Sequence, residues 1–403
     1  MHKKLISIKH YTPHILVSLG YIGFIALSGY LYFSYSQVSM AKALVLQERM
    51  KLDSQLKVEK KSHAAAQSNY DNLKKEDQYV INQALKKDID AIHTHYKKSV
   101  GIYEKLVSLR ESLKKTDALD KLYSQSITYL SVQNYSSAEA QLSLLDSSIT
   151  KEREKLVASF AIPESVKSSN QPPASGYSRQ KVSTPVGEYM VDLIAADLNS
   201  SKVVVDTASD GTCTDNCPVQ ALGTYASRSG AFGGVNGPYF CPASYPSCAG
   251  KANSFDTLLM NKNKVYFNSD NNVYSTVPAV IFSGNSARFV SQSQQWGRDT
   301  GVDSVIAGQP LLMLNGQRVF GGDGEPKRSG KGSRSFIGAT GSTVYIGVVH
   351  NVSTAEMAYV LQTLGISSAL NLDSGGSTAL WSGGRYIVGP GRDTPFGILL
   401  VRK

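Results

Sequence analysis

The sequence predicts an α+β protein, with a long helical region first and a mixed-sheet domain at the C-terminal end. Three observations carry this. Residues 38–160 contain no proline and a single glycine, Gly101, in a stretch of Lys, Glu, Gln, Ala, Leu and Ser. Beyond about residue 180 the chain changes to glycine, turn residues and short apolar or alternating runs that read as strands. Between the two, residues 161–179 hold Pro163, Pro172, Pro173, several serines and Gly176, the composition of a linker. At 403 residues there is room for two or three domains, and a hydrophobic share of 41% is ample for a core.

The N-terminal segment has its own signature. No Asp, Glu, Lys or Arg lies between Lys9 and Lys42, and residues 15–33 are almost wholly apolar or small. That is about the length needed to cross a bilayer. Lys3, Lys4 and Lys9 precede the run, so the excess of positive charge keeps the N-terminus in the cytoplasm. The expectation is a single-pass anchor in the cell membrane within residues 1–37, touching lipid through residues 15–36, with the remainder extracytoplasmic. A cleaved signal peptide is the rival. Ala41-Lys42-Ala43 has the small-x-small form, but it lies well beyond the apolar run.

The net charge of +10 is compatible with an anionic partner. No zinc-finger spacing, RNA-recognition signature or arginine-rich run is present, so nucleic acid is not expected as a partner. Lysines on solvated helix faces account for most of the excess.

Within residues 38–160, Leu85, Ile89, Ile92, Tyr96, Tyr103, Leu106 and Leu113 fit alternating steps of four and three, with Ser99 and Arg110 filling the gaps. This predicts a coiled-coil stalk of two or more helices, antiparallel or paired with a second copy as a homo-oligomer. A small helical bundle is the plainer alternative. Lys114-Lys115-Thr116-Asp117 marks a break, and Ser136 with Glu139 suggests a capping box.

In residues 180–403, strands are expected at 189–195, 202–206, 231–235, 264–267, 279–282, 311–314, 318–320, 343–349, 368–372 and 398–401. Asn315-Gly316 between two of them is a hairpin turn. Helices are expected at 222–229 and 354–364, the second with Thr354 as N-cap and Gly365 at its C-terminal end. The four cysteines all fall between residues 213 and 248. Outside the cell they should be oxidised. Proximity favours Cys213–Cys217 and Cys241–Cys248. A four-cysteine zinc site is the rival, but its usual C-x2-C spacing is missing.

Three segments carry chemistry. The first is Leu370-Asn371-Leu372-Asp373-Ser374-Gly375-Gly376-Ser377-Thr378, in which a carboxylate follows a buried strand and two glycines open the backbone to a ligand. The second, Asn236-Gly237-Pro238-Tyr239-Phe240, offers a carboxamide and aromatic faces at another strand end, suited to sugar hydroxyls and rings. The third runs from Gly321 through Asp323, Glu325, Lys327, Arg328 and Lys331 to Arg334. It is a basic loop whose last arginine meets a strand, where a planar fork suits phosphate or carboxylate. Each segment alone reads equally well as an ordinary turn with core aromatics. The loop lacks the spacing of a nucleotide P-loop.

Five runs in register resemble the phosphodiester glycosidase family, between about residues 189 and 401. They are VNGPYF, IAGQPLLMLNGQRV, SRSFIGAT, STAEMAYVLQTLGI and ALNLDSGGSTALW. The chain departs from the family pattern at Ser374 (usually glycine), at Pro238 and Tyr239 (usually glycine and phenylalanine), at His350-Asn351 (commonly Asp-Gly) and loosely at residues 391–395. The resemblance implies an active centre of Asp373, Arg334 and Asn236. Tyr239, Asn371, Ser374, Gly375, Gly376, Ser377 and Thr378 would line the substrate pocket. Neither metal nor cofactor is expected. Arg334 would hold the phosphate, Asn236 would orient sugar or phosphate, and Asp373 would act at the anomeric centre. The implied reaction is hydrolysis of a sugar 1-phosphodiester, of α-N-acetylglucosaminyl type, in an anionic cell-surface glycan or glycosyl-phosphodiester partner. Ordinary glycosidases use two carboxylates; Asp323, Glu325 and Asp393 are the candidates for the second. The rival from another class is a non-catalytic glycan-binding module on a membrane stalk.

Overall fold

The computed structural model describes residues 12–113, 115–269, 275–297 and 301–403. It divides into two compact units, Met1–Asp90 and Ala91–Lys403. Helices α1 (Thr12–Lys75), α2 (Asp77–Arg110), α3 (Asp117–Ser131) and α4 (Tyr135–Ser159) precede a β-rich region, so helices do come first and sheets second.

Lys3, Lys4 and Lys9, and the side chains of residues 15–19, lie outside the described residues. Among the described residues no helix is long and apolar enough to cross a membrane, so the expected spanning segment is not found. From Gly20 onward, Tyr21, Tyr30, Tyr32 and Tyr35, with interspersed serines and glycines, dilute the apolar character of α1.

Leu85, Ile89, Ile92 and Tyr96 of the expected stripe are exposed, so within this chain no seam covers them among the described residues. Burial begins further along. Ile102, Leu106 and Leu109 of α2 pack on Leu119 of α3 and on Leu142, Leu145 and Ile149 of α4. The partner surface exists only where α3 and α4 fold back along the last turns of α2, which gives a small bundle. Chain reversal falls at residues 111–116, starting three residues before the expected break at 114–117; Lys114 lies outside the described residues. The expected Ser136–Glu139 capping box does not form. Asn134 caps α4 by accepting the Ser137 N–H, and Glu139 pairs with Lys98 across the bundle.

The β-rich region contains β1 (Gly176–Thr184), β2 (Gly187–Asp197), β3 (Ser201–Thr207), β4 (Gly233–Asn236), β5 (Leu259–Met260), β6 (Tyr266–Phe267), β7 (Ala279–Ser283), β8 (Ser286–Val290), β9 (Ser304–Ala307), β10 (Leu311–Leu314), β11 (Gln317–Arg318), β12 (Gly332–Thr340), β13 (Thr343–Val352), β14 (Ser368–Ser374), β15 (Leu380–Ser382), β16 (Arg385–Val388) and β17 (Phe396–Arg402). They form three sheets, ordered β1-β2-β13-β12-β14-β10-β11, β16-β15-β4-β17-β3 and β6-β5-β9-β7-β8. Every strand ladder among the described residues is antiparallel, which corrects the expected mixed sheet. Many strands are joined by short hairpins, and a hairpin can only reverse direction.

The seven-stranded sheet is apolar on both faces. One face packs on helix Thr354–Thr363 through Phe336, Met357 and Leu361. The other meets the two smaller sheets through Ile194, Ile337, Leu370, Val205, Val235 and Phe282. That double burial explains why its strands read as continuous apolar runs rather than alternating ones. The helix is capped by Ser353, not Thr354, in a reciprocal box with Glu356, and Gly365 ends it at φ +72°. Asn315 and Gly316 both take positive φ, as the hairpin turn requires. The cysteines pair as proximity favoured, Cys213 with Cys217 and Cys241 with Cys248.

Candidate active site

β4 and β14 belong to different sheets, and their C-terminal ends meet. The Asp373 N–H donates to the Gly237 carbonyl at 3.0 Å, and the Asp373 carbonyl accepts from Asn236 Nδ2 at 2.8 Å. β12 runs antiparallel to β14 with Arg334 opposite Ser374, so all three expected catalytic residues come to one edge of the sheets. Gly237 has to be glycine, because a Cβ there would lie 2.1 Å from the Phe396 ring.

Asn236 is a cross-link rather than a substrate ligand. It is 1% exposed, and its Oδ1 accepts from Ser335 Oγ at 2.7 Å and from the Ala379 N–H at 3.0 Å. With both ends of the amide engaged, its role is to fix the backbone that carries Asp373.

Arg334 is likewise committed to protein partners. Its Nε donates to the Val352 carbonyl at 2.9 Å, and Nη2 donates to the carbonyls of Lys327, Arg328 and Gly330. Nε and Nη2 of Arg334 thus shape the 321–332 loop, and these bonds leave Nη1 outside that network. Burial lowers the Arg334 pKa, with Arg328 adding in the same direction while Tyr239 and Glu356 oppose it.

Tyr239 stands between these groups. Asn371 Nδ2 donates to its hydroxyl at 3.0 Å and to the Gln309 carbonyl at 3.2 Å. The Asn371 Oδ1 is buried without a protein partner. Burial raises the Tyr239 pKa, and the charge of Asp373 raises it further.

Asp373 is buried, and burial pushes its pKa up to about 6. The Ser377 hydroxyl, the Ser374 N–H at 2.8 Å and the charge of Arg392 pull the other way, while Glu111 adds to the rise. Ser374 and the turn after it, Gly375, Gly376, Ser377 and Thr378, wrap this carboxylate. Gly375 takes φ +64°, and the Thr378 hydroxyl donates to the Ser333 carbonyl at 3.1 Å. Ser333 is itself held by a chain across three strands: its hydroxyl lies 3.1 Å from His350 Nδ1, and His350 Nε2 lies 2.8 Å from Asp192. Asp192 also receives Arg179 and Tyr177; those bonds hold its pKa down although burial pushes it up.

Two residues in the site were not among the sequence expectations. The Arg392 N–H donates to the Gly376 carbonyl at 2.7 Å, and its guanidinium lies 5.3 Å from the centre of the Tyr245 ring. Glu111, from the turn after α2, pairs with Arg392 and accepts a hydrogen bond from the Gly376 backbone. The only sequence signal for Arg392 was the Gly389-Pro390-Gly391 run before it. A Cβ at Gly391 would press on the Ser377 and Thr378 carbonyls at 3.0 Å. Glu111 had no local signal, since its partner is 281 residues away. Of the candidates for a second carboxylate, Asp323 and Glu325 are engaged within their own loop, and Asp393 directly follows Arg392. Asp323 pairs with Arg328, and Glu325 caps a helical turn at Pro326–Ser329.

Buried carboxylate, glycine turn, aromatic hydroxyl and an adjacent arginine together suit proton transfer next to an oxyanion. Among the described residues no group of three or more His, Cys, Asp or Glu side chains could hold a metal ion.

No curated protein matches the chain. Three solved structures are similar to it in part. They are a hypothetical protein from Synechocystis (12% identity, 56% of this chain, TM-score 0.42), the catalytic domain of zebrafish N-acetylglucosamine-1-phosphodiester alpha-N-acetylglucosaminidase, auto-inhibited by its pro-peptide (13%, 58%, 0.44), and a putative exported protein from Burkholderia pseudomallei (13%, 53%, 0.35). This chain spans 62%, 85% and 74% of their lengths respectively, and at such TM-scores none of the three carries an argument. The family model described as phosphodiester glycosidase matches residues 230–401, a shorter stretch than the 189–401 read from the motifs. Residues 230–401, which hold Asn236, Arg334, Asp373 and Arg392, thus carry the phosphodiester glycosidase resemblance first read from the sequence.

Proposed function

We propose that the β-rich region is a hydrolase that cleaves the bond between a sugar's anomeric carbon and a phosphodiester oxygen, with an α-N-acetylglucosaminyl phosphodiester in a surface glycan as the substrate class. Asp373 is the observation that carries this reading: a buried carboxylate, raised to about 6, beside a glycine turn. At neutral pH it is ionised yet basic enough to take a proton efficiently. In the proposed step, water attacks the anomeric carbon while Asp373 accepts the water's proton; in the same step the carbon–oxygen bond breaks, and its electron pair leaves with the phosphate monoester. Such a leaving group needs little acid assistance, which fits a site with one well-placed base. The family resemblance of residues 230–401 supports the same reaction class.

A single displacement inverts the anomeric centre. Proton NMR of the first product from an α-glycosyl phosphodiester should show the β sugar, and Asp373→Asn should lower turnover about a thousandfold or more. Retention of configuration would refute the single-base step. Binding of the glycan without turnover by the wild type would favour the binding-module alternative.

We further propose that the chain is anchored in the cell membrane with this region outside. The uncharged run after Lys3, Lys4 and Lys9 supports the anchor, and two disulfides support an oxidising compartment. Protease added to intact cells should remove the β-rich region; full protection there would rule the topology out.

A further inference from the structure

The turn after β14 presents the backbone N–H of Gly376 and, beside it, the guanidinium of Arg392. Arg392 pairs with the Glu111 carboxylate, which lies directly against Gly376. The fit depends on residue 376 being glycine: a Cβ there would lie 2.0 Å from the Glu111 carboxyl carbon. Glu111 sits in the turn after α2, outside the 230–401 match. Three other contacts hold the small bundle in place. Glu104 accepts the Ser247 N–H at 2.9 Å, the Val157 carbonyl accepts from Asn351 Nδ2 at 3.2 Å, and Phe160 stacks on His350. The Glu111–Arg392 pair is partly buried, at 25% and 18% side-chain exposure, so it is shielded from bulk solvent. Burial pushes the Glu111 pKa up against the pull of Arg392, Gly376 and Arg153.

An arginine and a backbone N–H at a glycine turn are oxyanion donors. Arg334 gives its Nε and Nη2 protons to carbonyls of its own loop and of β13, and Arg392 is the guanidinium already paired with a carboxylate at this turn. We propose that Gly376 and Arg392 form the seat for the substrate's phosphate, and that Glu111 fills that seat as a displaceable internal ligand, so the helical bundle restrains the site. The identity of the ligand rests on the phosphodiester reading above; the occupied seat does not. Substrate binding then exchanges one oxyanion for another on the same donors. A carboxylate has one negative charge and two oxygens, so a phosphate can replace it without new cationic groups.

The test uses the full chain and titrates inorganic phosphate by calorimetry at neutral pH. Glu111→Gln keeps the shape but weakens the competing charge, and should bind phosphate about tenfold more tightly than wild type or better. Adding Arg392→Gln to that variant should abolish the gain. Glu111→Asp, which retracts the charge by one methylene, should fall between, and circular dichroism will report whether each variant is folded. With a glycosyl phosphodiester, Glu111→Gln should lower KM, because it removes the competing carboxylate. Unchanged phosphate affinity in folded Glu111→Gln would overturn the seat. A hundredfold loss of kcat would overturn it too, by making Glu111 a catalytic group. If no variant hydrolyses any glycosyl phosphodiester, the proposed function fails while the phosphate titration still decides this point.

Discussion

Asp373, the proposed base, is held at a cost in stability. Its folded pKa lies near 6 and its ordinary value is 3.8, so the folded state holds the proton more tightly than the unfolded one. Between those two values the folded state binds more protons, so stability falls as pH rises through the window and stays reduced above it. The deficit above pH 6 is on the order of 3 kcal/mol. Asp373→Asn has no charge to bury. It should unfold at higher denaturant than wild type at neutral pH, and the advantage should disappear near pH 4. A variant less stable than wild type at neutral pH would show that the Ser374, Ser377 and Arg392 contacts outweigh the burial of charge. The residue itself was legible in the sequence, because an acid followed by Ser-Gly-Gly at the end of an apolar run has few uses. Asn236 and Arg334 were legible as residues but not as roles. Sequence shows which polar groups arrive at a strand end, not which carbonyls already use their protons.

At the scale of elements, Arg334 joins β12 to the loop before it. Three carbonyls of that loop and one of β13 converge on its guanidinium. Lysine keeps the charge but has no planar fork, and its single nitrogen cannot serve carbonyls on two sides. Arg334→Lys should therefore cost about 1–3 kcal/mol for each buried acceptor left without a partner, read as a lower denaturation midpoint. Hydrogen exchange in residues 321–332 should rise with it. A variant with unchanged stability and exchange but a raised KM would restore the phosphate clamp read from sequence. Strand and helix positions were mostly readable, since apolar runs bounded by Gly, Asn and Pro mark them. The antiparallel order was not readable, because a doubly buried strand looks the same whichever way its neighbour runs. Four-three spacing specifies an apolar face but not what covers it, and here only the half alongside α3 and α4 is covered.

For the unit Ala91–Lys403 as a whole, a small helical bundle and a three-sheet region share one site. The sheets supply Asp373, the glycine turn and Arg392, and the bundle supplies Glu111. No window of sequence contains both, so that juxtaposition could come only from the fold. The central claim, that Asp373 acts as a base in its ionised form, is tested most directly by the pH dependence of kcat/KM on an α-glycosyl phosphodiester. The account predicts a limb that rises with pH through an apparent pKa near 6, and its loss in Asp373→Asn. A limb centred near the ordinary carboxylate value, or near wild-type turnover in folded Asp373→Asn, would contradict it.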